Sequence, residues 1–313
     1  MPRRVLVTGA SGQLADAVLA AFGDWNVTAL TRAALDITDI DAVRQTADRL
    51  SPDLIVNCAA FNRVDDAETR PAEAFAVNAL AVRTLVRAAE SCRATLVHYG
   101  SDFVFAGLDD ADTPPYDESL PPSPRSVYAA SKLVGEWFAL EYARGLVLRV
   151  ESLFGAPAAW QGRRGSLDAI VDGLESGRDV PVFTDRIVSP SYIVDVAAAT
   201  RHLVETGAAP GLYHCVNSGH ATWQQVALEA ARQLGVTPRL KLMTTTEVRL
   251  VAARPRFCAL SNRKLAAAGF DMPTWQDALS RWLARRRPVA PAELAGAPRA
   301  QSSAPAAQVR HIE

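Results

Sequence analysis

The sequence predicts an α/β fold in which a parallel sheet carries helices on both faces. Apolar runs of about five residues recur through the first half of the chain, an amphipathic segment with helical spacing follows each of them, and a glycine-containing turn joins the first run to the first helix. Strands that are buried on both faces read as continuous apolar runs. Right-handed crossovers between such strands produce a doubly wound parallel sheet.

The individual elements alternate regularly. Each predicted strand is rich in aliphatic residues, and each predicted helix has apolar residues at helical spacing or is rich in Ala. The strands are predicted at 5–7, 26–30, 53–57, 94–98 and 145–149, and the helices at 13–22, 39–50, 71–91 and 127–142.

The composition argues against several classes of protein. The 313 residues contain 33 Lys and Arg against 34 Asp and Glu, a net charge of −1, so there is no positive field that would hold nucleic acid. No segment reaches the roughly 18 apolar residues of a membrane helix, and no signal peptide or membrane partner is predicted. The four cysteines are widely spaced, which predicts neither disulfides nor a metal site and favours a cytoplasmic location.

The turn after the first strand has the pattern of a phosphate-binding loop. Gly9 permits a tight turn, Gly12 lets a diphosphate approach the backbone, and Ala15 allows close packing of helix on sheet. The amides that begin the next helix would face the anion. Because the motif lies between a predicted strand and a predicted helix, it indicates a dinucleotide-binding domain of the Rossmann type over residues 1–150.

The rest of the chain divides into two parts. The alternation loosens after residue 150, which predicts a smaller substrate-binding lobe over 151–283 that is interleaved with the first domain. Residues 284–313 contain no aromatic residue, and several prolines stand among Ala, Ser, Gln and Arg. Such a segment buries too little apolar surface to offset the entropy of ordering, so a disordered tail is predicted there.

The end of the second strand bears on the choice of cofactor. Many dinucleotide-binding folds place an acid there that binds the ribose hydroxyls of NAD, whereas this strand ends in Leu30-Thr31-Arg32. Arg32 can pair with the 2′-phosphate of NADPH, which favours NADPH over NADH. The alternative is that Arg32 is an ordinary surface residue in an Arg-rich chain.

Tyr128 and Lys132 form the most specific chemical pattern. They stand four residues apart, on one face of a predicted helix. Reduction of a ketone needs a proton donor, and a free phenol is a weak acid at neutral pH. A nearby ammonium lowers the phenol pKa and can also hold the cofactor ribose. The alternative is a surface pair that has helical spacing by chance.

Ser101 follows the fourth predicted strand. Ligands of doubly wound sheets bind at the carboxyl ends of the strands, so the Ser101 hydroxyl is placed to hold a substrate carbonyl oxygen beside Tyr128. The alternative is an isolated loop serine. His98 lies within the apolar run and is expected to be a core residue.

These residues resemble those of the extended short-chain dehydrogenases, and within them the dTDP-4-dehydrorhamnose reductases. The resemblance covers nearly the whole chain up to the predicted tail. The segments that carry it include Gly12-Gln13-Leu14, Leu35-Asp36-Ile37-Thr38-Asp39, Asn57-Cys58-Ala59-Ala60, Asn78, Ser101-Asp102-Phe103-Val104-Phe105, Tyr128 to Lys132, Gly135-Glu136 and Ser189-Pro190-Ser191.

The resemblance implies NADPH-dependent reduction of the 4-keto group of a nucleotide-activated deoxysugar, with NADH as the alternative cofactor. It implies Ser101, Tyr128 and Lys132 as the catalytic trio, and places Asp36 and Ile37 against the adenine. The implied cofactor contacts are Gly9, Ser11, Gly12, Gln13, Leu14, Asp36, Ile37, Ala59 and Ala60. Arg32, Tyr128 and Lys132 are expected to contact the cofactor as well.

The chain departs from this pattern mainly in its substrate half. Ser101 and Phe103 stand where the reductases more often have Thr and Tyr. After the fifth strand the chain reads Arg149-Val150-Glu151-Ser152 in place of the usual Arg-Thr-Ser-Trp, so an aromatic side chain beside the sugar is missing. We expect Glu151 to offer an acceptor there, and thus to favour a ketosugar with an extra hydroxyl or amino donor over dTDP-4-dehydrorhamnose.

Two other functions stay open from the sequence. A sugar-nucleotide epimerase or dehydratase shares the Tyr–Lys chemistry, although dehydratases usually carry an acidic pair beside the serine where this chain has Asp102-Phe103. A non-catalytic NADP-binding regulatory subunit, resembling that of methionine adenosyltransferase, shares the fold but has no need of the trio. The sequence leaves the exact sugar, metal dependence and oligomeric state open, a homodimer being one option.

Overall fold

The computed structural model describes residues 3–108, 113–156, 162 and 165–286. The strands in these residues are β1 (Arg4–Thr8), β2 (Asn26–Leu30), β3 (Leu54–Asn57), β4 (Thr95–Ser101), β5 (Gly145–Val150), β6 (Leu153–Phe154), β7 (Val180–Phe183), β8 (Ile187–Val188), β9 (Ser191–Tyr192), β10 (Gly211–His214), β11 (Ala221–Thr222) and β12 (Leu240–Met243).

The helices in the same residues are α1 (Gln13–Ala21), α2 (Ile40–Leu50), α3 (Val64–Thr69), α4 (Pro71–Phe75), α5 (Ala81–Cys92), α6 (Val127–Glu141), α7 (Ser166–Glu175), α8 (Ile193–Glu205), α9 (Trp223–Leu234), α10 (Arg263–Ala267) and α11 (Trp275–Arg286). A π-helical turn, Ala76–Leu80, joins α4 to α5, and a 3₁₀ turn, Asp102–Val104, follows β4. None of these helices is long and apolar enough to cross a membrane.

Six strands form one parallel sheet in the order β10-β5-β4-β3-β1-β2. Side chains alternate along β1: Val5 and Val7 pack into the core with α1 and α8, whereas Leu6 packs into a second core with α2 and α5. Because both faces are covered, each strand needs apolar residues at successive positions, which is the pattern that the sequence shows. The predicted doubly wound α/β fold is confirmed.

The predicted helix at 71–91 is instead three consecutive elements, with the π-helical turn between α4 and α5. The Asn78 side chain lies in this turn and binds both backbone groups of Phe61, accepting from its N–H at 2.8 Å and donating to its carbonyl at 2.9 Å. Unbroken Ala-rich spacing gives no sign of such a turn. π-helical turns of this kind occur often at functional sites.

Residues beyond 150 contribute directly to the central sheet. Strand β10 pairs with β5 and forms one edge of the central sheet, and α8 packs against α1. Three two-stranded pairs, β6·β9, β7·β12 and β8·β11, belong to this part together with the helices α7, α9, α10 and α11. Helix α11 extends three residues into the segment predicted as a tail, and 287–313 lies outside the described residues.

Candidate active site

The glycine turn after β1 lines a cavity of about 320 Å³. Gly9 has a φ of +66°, and a Cβ at this position would lie 2.5 Å from the backbone nitrogen of Ala59, so the turn requires glycine. Gly12 is the N-cap of α1 and, being glycine, has no side chain that could cap the helix amides. Close backbone approach and uncapped helix amides are what a bound diphosphate requires, so these residues fit a dinucleotide.

The structure brings eight of the predicted cofactor contacts together around this cavity. They are Gly9, Ser11, Gly12, Arg32, Asp36, Ile37, Ala59 and Ala60. The cavity is completed by Leu35, Cys58, Phe61, Asn62, Arg63 and Val77. Gln13 and Leu14 do not line it: Leu14 belongs to the core, and the Gln13 Oε1 is buried without a hydrogen-bond partner among the described residues.

Arg32 and Asp36 stand together at one end of the cavity, with the Arg32 Nε 3.4 Å from the Asp36 Oδ2 and the Arg32 side chain 81% exposed. The hydroxyl and backbone N–H of Thr38 donate to the Asp36 carboxylate and hold its pKa below the ordinary value, with a smaller effect from Arg32. The acid that is missing at the end of β2 is thus supplied six residues later. This end of the cavity carries both a cation suited to a 2′-phosphate and an anion suited to ribose hydroxyls.

Lys132 is buried on α6 and reaches the central sheet. Its Nζ donates to the carbonyl oxygen of Tyr99 in β4 at 2.5 Å. Burial lowers the pKa of Lys132 to about 8, opposed by the nearby Glu136 carboxylate. The side chain is therefore an ammonium at neutral pH. Tyr128, one turn earlier on α6, is half-buried and packs edge-to-face on Phe103, with ring centroids 5.7 Å apart.

Ser101 is the last residue of β4 and is 5% exposed. Its Oγ donates to the Asp102 Oδ1 at 3.1 Å and accepts from the backbone N–H of Phe103 at 3.2 Å. Ser101 lies two residues beyond Tyr99, the residue that Lys132 contacts. The three predicted catalytic residues thus come from β4 and α6, and the ammonium meets the end of β4 that carries the serine.

Glu136 and Arg149 support this end of β4. The Glu136 Oε1 accepts from the Ser101 N–H at 3.1 Å, and the Oε2 pairs with the Arg149 guanidinium at 2.8 Å, with both side chains buried. Gly100 leaves the room for this carboxylate, because a Cβ there would lie 2.3 Å from the Glu136 Oε1. The sequence offered one signal for this role, since Glu136 stands one helical turn after Lys132.

Asn78 supports the other side of α6. Its Nδ2 donates to the Ser131 Oγ at 3.0 Å, and the Ser131 hydroxyl in turn donates to the Tyr128 carbonyl at 2.7 Å. The π-helical turn is therefore tied to the helix segment between the two predicted catalytic residues.

His98 is buried and hydrogen-bonded to the Asn57 side chain at 3.1 Å, and burial lowers its pKa well below the ordinary value, as expected for a core residue.

Glu151 is placed differently from the expectation. It is 1% exposed, its Oε2 accepts from the Ser189 N–H at 2.7 Å, and it faces Asp102 and Cys258 rather than an open pocket. Chain segments that are distant in sequence, at 186–189 and 258, enclose the side chain. Spacing within one segment cannot reveal such burial.

The family model described as "RmlD substrate binding domain" matches residues 3–287. The chain belongs to this family. A dTDP-4-dehydrorhamnose reductase of Streptomyces griseus is 37% identical over 288 residues, which are 88% of this chain and 92% of that protein. A dTDP-4-keto-6-deoxy-D-glucose reductase of Streptomyces niveus is 34% identical over 289 residues, 90% of this chain and 96% of the relative.

A solved family structure agrees in fold. The dTDP-4-dehydrorhamnose reductase of Bacillus anthracis str. Ames, in complex with NADP, superposes with a TM-score of 0.83 at 30% identity. The match covers 91% of this chain and 99% of that structure. The family match and this structure confirm the resemblance predicted from the sequence.

Proposed function

We propose that the chain reduces the 4-keto group of a nucleotide-activated deoxysugar with NADPH. The observation that carries the proposal is the contact between the Lys132 Nζ and the Tyr99 carbonyl. It brings the ammonium of the Tyr–Lys pair to the carboxyl end of β4, where Ser101 stands and where doubly wound sheets bind their ligands. The relatives that are named reductases of dTDP-activated ketosugars support this substrate class.

The cavity at the glycine turn would hold the cofactor. The diphosphate would rest on Gly9, Gly12 and the first amides of α1, and Ile37 would lie against the adenine. NADPH, when bound, supplies the hydride. The four cysteines are unpaired, which supports a reducing compartment, and we place the reaction in the cytoplasm.

The side chains of α6 and β4 would handle the proton. Tyr128 would donate its phenolic proton to the substrate oxygen as negative charge develops there. The Lys132 ammonium, held by the Tyr99 carbonyl, would lower the pKa of that phenol. The Ser101 hydroxyl would orient the same oxygen by a hydrogen bond.

The experiment is to mix the protein with NADPH and a panel of nucleotide ketosugars that includes dTDP-4-dehydrorhamnose. We expect loss of NADPH absorbance in proportion to sugar reduced. Conversion of a sugar without net NADPH oxidation would indicate an epimerase or dehydratase, and binding of NADPH without any turnover would indicate a regulatory subunit. Lys132→Met should abolish most turnover, whereas Lys241→Met, at an exposed lysine of β12, should not.

A further inference from the structure

Asp102, Glu151 and Cys258 form a buried polar cluster beside Ser101. One carboxylate oxygen from each acid and the Cys258 Sγ lie within 4.8 Å of one another. All three residues are at most 4% exposed. Asp102 follows Ser101 directly and accepts its hydroxyl proton in a 3.1 Å hydrogen bond. The cluster therefore touches a residue to which we assign contact with the substrate.

Two carboxylates cannot both stay charged in this position. Burial raises the pKa of Asp102 to about 6, and burial together with repulsion by Asp102 raises the pKa of Glu151 well above its ordinary value. Among the described residues, the Cys258 thiol is kept neutral by its own raised pKa and lowers the pKa of Asp102 through a hydrogen bond, and the Arg186 guanidinium lowers the pKa of both acids. At neutral pH such a pair retains a proton.

The hydrogen-bond partners of the Glu151 carboxyl group place that proton on Glu151 in the resting protein. The Glu151 Oε2 accepts from the Ser189 N–H at 2.7 Å, whereas the Oε1 is buried without a partner among the described residues. A proton on the Oε1 converts a costly unsatisfied acceptor into a donor, and a carboxylate oxygen of Asp102 lies within 4.8 Å of one of Glu151.

The Ser101 hydroxyl has one proton to give. In the structure it donates to the Asp102 Oδ1, while its oxygen accepts from the Phe103 N–H at 3.2 Å. In this state Ser101 would present only lone pairs to a substrate carbonyl oxygen, which also carries only lone pairs. If Asp102 is protonated and donates to the Ser101 Oγ, the Ser101 proton can point to the substrate instead.

We propose that Asp102 and Glu151 share one proton that sets the direction of the Ser101 hydroxyl. The inference rests on the proposed reductase function, in which Ser101 contacts the substrate oxygen. As charge develops on that oxygen, the shared proton moves from the Glu151 Oε1 to Asp102, Asp102 donates to the Ser101 Oγ, and Ser101 donates to the oxygen.

The proton count balances, because the shared proton stays within the pair. Tyr128 supplies the proton that the product keeps, and the shared proton returns to Glu151 when the product leaves. The Glu151 carboxylate is held meanwhile by the Ser189 N–H and by the nearby Arg186 guanidinium. Asp102 and Glu151 are therefore positioning residues that act through Ser101.

The pH dependence of kcat in Glu151→Gln tests the proposal. An amide cannot give up a proton, so Asp102 titrates alone and holds the Ser101 proton once it is ionised. We expect wild-type kcat to be flat between about pH 5 and 7.5, and kcat of the variant to fall by up to about tenfold per pH unit above the pKa of Asp102, which burial keeps above its ordinary value. At high pH the kcat of Glu151→Gln should level off at the kcat of Ser101→Ala, because the serine then no longer donates to the substrate oxygen in either variant.

The double variant is the matched control. Asp102→Asn supplies a permanent N–H donor, so adding it to Glu151→Gln should remove the pH slope. A role of Glu151 in packing alone would lower kcat by one factor at every pH, and this result would overturn the proposal.

Infrared spectroscopy without substrate tests the shared proton directly. At about pH 7.5 the wild-type protein should show the carbonyl band of a protonated carboxyl group. Glu151→Gln should lose the band, and Glu118→Gln, at a half-buried acid outside the cluster, should keep it. Absence of the band from the wild type would overturn the proposal, as would a stoichiometric divalent cation that Glu151→Gln releases. Because this readout needs no turnover, it separates failure of the shared proton from failure of the proposed function.

Discussion

The two ends of the candidate active site differ in the groups that form them, which are mainly backbone at one end and polar side chains at the other. Around Gly9 and Gly12 the chain presents backbone: a left-handed turn at Gly9, a helix start at Gly12 and a cavity wall kept open there by the small residues Ala59 and Ala60. At the ends of β4 and β5 it presents buried polar side chains, some of them bonded to another segment of the chain, as Arg149 of β5 is to Glu136 of α6.

This difference matches the chemistry of the two ligands. A diphosphate is common to all nicotinamide dinucleotides, so a fixed backbone and helix amides suffice to bind it. Proton transfer to one particular ketone needs side chains whose pKa values are set by their surroundings. Substitutions at the glycine turn should therefore change cofactor binding, and substitutions at the strand ends should change kcat and its pH dependence.

The largest expected effect separates the two regions. Tyr128→Phe removes the proposed proton donor and keeps the ring that packs on Phe103. We expect kcat to fall by about 10²-fold or more, with the Kd of NADPH nearly unchanged. The control is Tyr213→Phe, which removes a hydroxyl bonded to the Ala209 carbonyl and should leave kcat unaltered. Normal turnover in Tyr128→Phe would remove this tyrosine from the mechanism.

The next effect belongs to the glycine turn. Gly9→Ala places a methyl group about 2.5 Å from the Ala59 nitrogen at a φ of +66°, so the turn must move. We expect the free energy of unfolding to drop by about 2 kcal/mol or more and the Kd of NADPH to rise at least about tenfold. Titration of NADPH binding and thermal unfolding measure the two quantities.

Gly235→Ala is a close control, because Gly235 has a φ of +74° and a Cβ there meets no atom of the described residues within 4 Å. It carries the cost of the left-handed backbone without the clash. Equal losses of stability and NADPH affinity in the two variants would show that the close approach of Gly9 to Ala59 affects neither quantity.

The same contrast explains what the sequence could predict. The glycine turn is a local motif whose ligands are adjacent in the chain, and the cavity contains eight of the predicted contacts. The core helices and strands follow equally local apolar patterns. The burial of Glu151 depends on residues at 102, 189 and 258, and the short strand β10 pairs with residues of β5 that lie 65 positions earlier in the chain. No local pattern contains such information.

A third prediction uses the pH dependence of the strand-end region. Burial gives Lys132 a pKa of about 8, below the ordinary value, so the ammonium is lost as the pH rises through 8. We expect kcat to fall above that pH, by about tenfold at one unit higher, because an uncharged amine no longer lowers the pKa of Tyr128. Lys132→Arg keeps its charge over this range. The fall of kcat above pH 8 should therefore be absent from Lys132→Arg, although its kcat should be lower than that of the wild type at every pH. Persistence of this fall in Lys132→Arg would assign it to another group.

The smallest expected effect tests the one place where the cavity depends on a side-chain charge. Arg32 can pair with the 2′-phosphate that NADPH has and NADH lacks, but its side chain is 81% exposed and already lies 3.4 Å from the Asp36 carboxylate. A pair so exposed contributes at most about 1 kcal/mol, so Arg32→Ala should weaken NADPH binding roughly fivefold and NADH binding very little. Arg44→Ala is the matched control, since it removes an exposed arginine that pairs with Asp41 outside the cavity. Equal weakening of both cofactors would make Arg32 a surface residue without a role in the choice between NADPH and NADH.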